Sequence, residues 1–93
     1  MKLVTVEATF TADTVNQAIR AFNDQAETVR GMEGCDHYAL YKNGASLGII
    51  QRWETTAHFE AYRQSDAFRV LGSALKPLMT APPVTTIAFV DNA

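Results

Sequence analysis

The chain has 93 residues, 47% of them hydrophobic and 19% charged, with eight Lys and Arg against ten Asp and Glu. The formal net charge of −2 comes with no basic stripe for phosphate contacts, which excludes nucleic acid as a standing partner, and the apolar content excludes a disordered tail. No apolar run nears the roughly 20 residues of a membrane span, the stretch Met1–Glu7 reaches a glutamate before a signal core can form, and Cys35 is a single cysteine. The expectation is one cytoplasmic domain over residues 1–93 with one modest core and no disulfide.

From Lys2 to Phe10 the residues alternate. Val4, Val6, Ala8 and Phe10 oppose Leu3, Thr5, Glu7 and Thr9, the pattern of a strand with one apolar face and one mixed face. Thr11 and Asp13 offer N-caps for a helix whose stripe is Val15, Ala18, Ile19, Phe22, Ala26 and Val29. Gly31 and Gly34 stop it. Two β-rich runs, Cys35–Lys42 and Ser46–Glu54, flank Asn43-Gly44, a strong hairpin signal because a type I′ turn needs positive φ at both central residues. A two-residue turn there puts Tyr38, Leu40, Ile49, Gln51 and Trp53 on one face, with Asp36 beside them. His37, Ala39, Tyr41, Ile50 and Arg52 take the other face, and a bulge would shift this parity on one strand.

Thr55 or Thr56 caps a short helix carrying Ala57, Phe59, Glu60 and Tyr62. Ser65-Asp66 caps a second, through Phe68, Val70, Leu71, Ala74 and Leu75, which Pro77 ends. After Pro82-Pro83 a β-branched run, Val84 to Val90, forms the last strand. The order β-α-β-β-α-β predicts an α+β, ferredoxin-like antiparallel sheet with its helices on one face. The face without helices is expected to carry Leu3, Tyr41, Ile50, Ile87 and Phe89 among Thr5, Glu7, Thr85 and Arg52. That is too apolar to face water, so a homodimer through the sheet face is expected, the two sheets forming a shared barrel.

Gly34-Cys35-Asp36-His37-Tyr38-Ala39-Leu40-Tyr41, followed by Gln51-Arg52-Trp53-Glu54, resembles the antibiotic biosynthesis monooxygenase family. The likeness runs on through Ala57-His58-Phe59-Glu60-Ala61-Tyr62, Ser65-Asp66-Ala67-Phe68, Leu75-Lys76-Pro77-Leu78 and Pro82-Pro83. It implies a dimeric α+β barrel with a cavity between each sheet and its helices. It also implies oxygenation of a quinol-like or polyketide-like aromatic by dioxygen with no metal, flavin or other cofactor. Of the positions that polyketide-oxidising members use, this chain keeps Trp53 and has Ile49, Phe59 and, across a one-residue gap, Gly72 at the others. Haem-degrading members hold iron through a histidine that falls near Gly72 and use an Asn near Val6, so haem degradation is not implied. Tyr62 stands where many members carry a histidine.

Each candidate side chain has a structural reading beside the functional one. Trp53 is either a platform for a planar ring or the largest core residue. Tyr38 and Tyr62 are either hydrogen-bond donors to a developing oxyanion, which with Trp53 makes the catalytic set, or packed phenols. Phe59 and Phe68 would hold a substrate ring, and Gln51 would orient a hydroxyl, or all three serve the core and its wet mouth. His58 is of the side-chain type that serves as a general base at neutral pH, yet one helical step from inward Phe59 turns it about 100° toward the rim. His37 and His58 lack the neighbours of a metal site, and Cys35 lacks those of a nucleophile. Three functions remain open: a cofactor-independent monooxygenase of a small aromatic, a non-oxidative isomerase of a phosphorylated metabolite using Arg63 or Arg69, and a binding dimer without catalysis.

Overall fold

Alternation, caps and glycines place the elements close to where their residues predict. The computed structural model describes residues 1–90. It runs β1 (Lys2–Thr9), α1 (Val15–Arg30), β2 (Cys35–Asn43), β3 (Ser46–Trp53), α2 (Thr56–Arg63), α3 (Asp66–Leu75), a 3-10 turn at Lys76–Leu78, and β4 (Val84–Phe89). The four strands form one sheet in the order β2-β3-β1-β4 with every neighbouring pair antiparallel. This is the ferredoxin-like α+β arrangement that the element order predicts.

The caps explain where the helices begin. Thr55 Oγ1 accepts from the His58 backbone N–H, and Ser65 Oγ accepts from that of Phe68. The first helix departs from expectation, since neither Thr11 nor Asp13 caps it. It starts after Thr14, whose hydroxyl turns back to Thr11 at 3.0 Å. Its buried stripe of Val15, Ala18, Phe22, Ala26 and Val29 lies on the sheet. Among the described residues no helix is long and apolar enough to cross a membrane.

The hairpin turns one residue later than the Asn-Gly signal indicates. Asn43 pairs with Ser46, leaving Gly44-Ala45 as the loop. Within this loop only Gly44 has positive φ, at 61°, the pattern of a type II′ turn instead of I′. Tyr38 now faces Gln51 and Leu40 faces Ile49, a slip that keeps every side chain on its expected face because it preserves parity. Parity breaks only below His37, where a bulge leaves Asp36 unpaired and sets Cys35 opposite Trp53. Asp36 is therefore exposed and does not join Gln51.

The sheet's helix side reads in rows across β4, β1, β3 and β2: Thr85–Val6–Ile49–Leu40, Ile87–Val4–Gln51–Tyr38, and Phe89–Lys2–Trp53–Cys35. Thr85, Ile87 and Phe89 thus lie on the helix side, which corrects their expected place on the open face. The run Val84–Val90 carries apolar or threonine side chains at both parities, so its pattern does not choose a face, and only the pairing with β1 does. The open face instead carries Val84–Glu7–Gly48–Tyr41, Thr86–Thr5–Ile50–Ala39 and Ala88–Leu3–Arg52–His37. All of β4 is exposed, Phe89 at 64% and Val84 at 62%, because no helix reaches far enough to cover this edge.

Candidate functional site

The inward positions of β2 and β3 deliver Tyr38, Gln51 and Trp53 to the end of the sheet over which α2 lies. Residues three apart on α2 share one helix face, so Phe59 and Tyr62 point down onto them. Trp53 is fully buried, and Tyr62 and Tyr38 are each 2% exposed. Their rings form a continuous cluster. Trp53 stacks on Tyr62 with centroids 5.1 Å apart, Phe59 lies 6.4 Å from Trp53, and Tyr38 meets Tyr62 edge-on at 5.8 Å. Phe22 of α1 stacks on the far side of Tyr38 at 5.0 Å. Phe68, at the start of α3, stands edge-on to Tyr62 at 5.2 Å and is 40% exposed, which makes it the cluster's contact with solvent.

The polar atoms inside this cluster answer one another. The Trp53 indole N–H donates to Gln51 Oε1 at 2.9 Å. The Tyr38 and Tyr62 hydroxyls share a hydrogen bond of 2.9 Å. Burial pushes the Tyr62 phenol above its ordinary pKa, although the bond from Tyr38 works the other way. Burial also pushes Tyr38 far up, and the neighbouring Tyr62 adds to that. Both phenols are therefore neutral near pH 7 and act as donors, not bases. A pair of hydroxyls holds two protons and spends one on the bond between them. One O–H remains to donate to an oxygen placed against the pair.

His58 is not part of this arrangement. Its Nδ1 lies 2.9 Å from Thr55 Oγ1 and its Nε2 3.8 Å from Glu33, at the rim beside Gly34. The two arginines considered for phosphate are each tied to the acidic residue three positions earlier: Arg63 to Glu60 at 3.4 Å and Arg69 to Asp66 at 3.7 Å. Burial raises the Cys35 thiol, which keeps it protonated and apolar in character. Among the described residues no group of three or more His, Cys, Asp or Glu is placed to hold a metal.

One residue of this region has no place in the sequence reading. Lys2 is 7% exposed, on the inner face of β1 opposite Trp53, with its Nζ 5.2 Å from the Phe59 ring centre and 5.5 Å from that of Phe89. The signal was available, since Lys2 shares the parity of Val4 and Ala8.

The space between sheet and helices is smaller than expected. A void of about 20 Å³ lies there, near Val6, Phe22, Leu40 and Met79, room for about one water and not for a ring. The sequence could not show this, because the volume depends on how Phe10, Phe22, Leu75 and Met79 pack between helices and sheet. The larger concavity, about 560 Å³, lies on the open face of the sheet around Gly48, where no side chain fills the row between Glu7 and Tyr41.

The profile of the antibiotic biosynthesis monooxygenase family matches residues 1–71, over three quarters of the chain. The chain belongs to that family. Among solved structures, a Nitrosomonas europaea protein bearing the family's name is 13% identical, with 99% of this chain and 100% of that one covered at a TM-score of 0.94. A conserved protein from Methanosarcina mazei is 18% identical over 94% of this chain and 89% of its own, with a TM-score of 0.90. A Mycobacterium tuberculosis protein is 21% identical over 100% and 99%, with a TM-score of 0.84. At such identities these three show the fold alone. No curated protein matches the chain significantly.

Proposed function

We propose that this member of the antibiotic biosynthesis monooxygenase family is a cofactor-independent monooxygenase of a small, electron-rich aromatic of the anthrone or quinol class, working as a homodimer. The observation that carries the reading is the Tyr38–Tyr62 hydroxyl pair, 2.9 Å apart, walled by Trp53 and Phe59 and separated from solvent by Phe68. Carbon acids and phenols of this class become reactive toward dioxygen once deprotonated. The buried pair supplies what such a substrate needs, a neutral donor aimed at an oxygen that gains negative charge, in surroundings with little water.

The step balances without an added reductant. For an anthrone, the ring methylene loses a proton to solvent, and the enolate oxygen is held by the spare Tyr O–H. One electron passes to dioxygen, the two radicals combine at the methylene carbon, and the hydroperoxide loses water to leave a carbonyl. One oxygen atom enters the product and the other leaves as water. No base is required of the protein beyond solvent, in keeping with the neutral phenols. Displacing Phe68 from the Tyr62 edge would admit the ring against Tyr62, with Trp53 and Phe59 walling the site behind it and the Gln51 amide orienting its hydroxyl.

Oxygen uptake with a panel of anthrones and quinols tests the reading. Wild-type protein is expected to consume oxygen with at least one of them, and Tyr62→Phe is expected to lower kcat by about a hundredfold, the usual loss of an oxyanion donor. Trp53→Phe is expected to raise KM. No uptake with any member of the panel would overturn the assignment. A second reading, a dimer that binds without turnover, has one observation in its favour, the close packing of the buried rings, with a void of about 20 Å³ beside Phe22 and Met79 too small for a ring. Saturable binding of the same compounds with no oxygen uptake would establish it.

A further inference from the structure

The Lys2 residue is 7% exposed, its stem packed into the sheet's inner face, and among the described residues its ammonium makes neither a hydrogen bond nor an ion pair. A cation whose stem is buried and whose head is uncommitted is available to an anion. Two aromatic faces stand against it, one buried in Phe59 and one exposed in Phe89. A second cation stands against the same Phe59 ring, the Arg63 guanidinium at 5.9 Å, but Glu60 already occupies it. The Lys2 charge is therefore the unspent one. It sits in the same cross-strand row as Trp53 and opens to solvent on the β4 side, where Phe89 is 64% exposed and Ile87 49%.

We propose that Lys2 is the anion-holding residue of the substrate site, taking an anionic oxygen (carboxylate or ionised phenol) carried by a planar aromatic ring that lies between Phe59 and Phe89. This deepens the reading of the ring cluster as a substrate site and rests on it. A chain of contacts runs from Phe68 through Tyr62 and Phe59 to Lys2 and Phe89. The phenol pair and the ammonium thus address the same ligand from two sides of Phe59, the pair holding the oxygen that gains charge and the lysine one that carries charge already. Selectivity for acidic aromatics over neutral ones follows, because an ammonium in apolar surroundings rewards an anion far more than a neutral polar group.

Salicylate and its neutral amide, salicylamide, have nearly the same shape and test this directly. Trp53 is the chain's single tryptophan, so quenching of its fluorescence reports binding beside Lys2. Wild-type protein is expected to bind salicylate about tenfold or more tightly than salicylamide. Lys2→Met, which keeps the aliphatic stem, is expected to bind the two alike, and Lys2→Arg to restore the preference. Should Lys2→Met fail to fold, added chloride should weaken salicylate but not salicylamide on the wild type. Asp91→Asn is expected to leave the salicylate affinity unchanged; a gain there would mean that the chain's own carboxylate fills the site. That gain, equal binding of the two probes by wild type, or a preference that survives Lys2→Met would each overturn the proposal. Oxygen uptake by neutral anthrones is read separately, so the oxygenase assignment can stand while the role of Lys2 falls.

Discussion

At the scale of single residues, the Tyr38–Tyr62 pair, on which the proposed activity rests, also bears on stability. Removing one hydroxyl leaves the other buried without its partner, and such an orphan costs about 1–3 kcal/mol. Tyr38→Phe and Tyr62→Phe should each destabilise by that order in urea. The double variant should lose less than the sum of the two, since no orphan then remains. The pair also sets a pH limit. Both phenols have pKa values raised by burial, so the folded protein keeps protons that the unfolded chain releases near pH 10. The contribution is complete below that pH and is lost above it as the unfolded state gains charge. A melting temperature flat between about pH 7 and 9 and falling above about pH 10 is expected. The double Phe variant should show a smaller fall. A drop of equal size in that variant would place its origin elsewhere.

At the scale of elements, the two positive-φ glycines separate backbone strain from steric closure. Gly44 has φ 61° in the hairpin, and a Cβ there meets nothing within 4 Å. Gly34 has φ 79° where the chain enters β2, and a Cβ there would run into the His58 ring. Gly44→Ala should cost about 1–2 kcal/mol from the left-handed backbone alone. Gly34→Ala should cost clearly more, since His58 must also leave its contacts with Thr55 and Glu33, and chemical denaturation of the two variants measures the difference. The hairpin shows what was readable from sequence: its faces follow from alternation, and a turn displaced by one residue leaves parity intact. Trp53, Gln51 and Tyr38 fell on the same side for that reason. In β4 both parities are apolar, so nothing local distinguishes them. Lys2 stayed hidden because a terminal lysine reads as solvated, and its burial depends on Phe59 and Phe89 arriving from distant parts of the chain.

At the scale of the whole molecule, the single chain leaves one sheet face bare. Leu3, Ile50, Tyr41 and Val84 lie there with Thr5 and Ala39 between them, and Tyr41 and Val84 are 52% and 62% exposed. Patches of this kind on small proteins mark interfaces, and a second copy offers the same patch in return. The charges support a particular arrangement. Glu7 and Arg52 occupy rows on either side of the central Thr5–Ile50 row, too far apart to pair within one chain. A twofold axis along that central row would exchange the outer rows and bring each Glu7 within reach of an Arg52 across the interface. Light scattering at micromolar concentration should give twice the 10.2 kDa of the chain. Ile50→Lys, which places an ammonium at the centre of the patch, should give the monomer mass. Glu7→Arg and Arg52→Glu should each weaken the dimer, and the two together should recover part of the loss, because the swap restores the pairing with its signs reversed. A monomeric wild type would refute the shared barrel. Additive effects of the two charge reversals would keep the dimer but remove this axis.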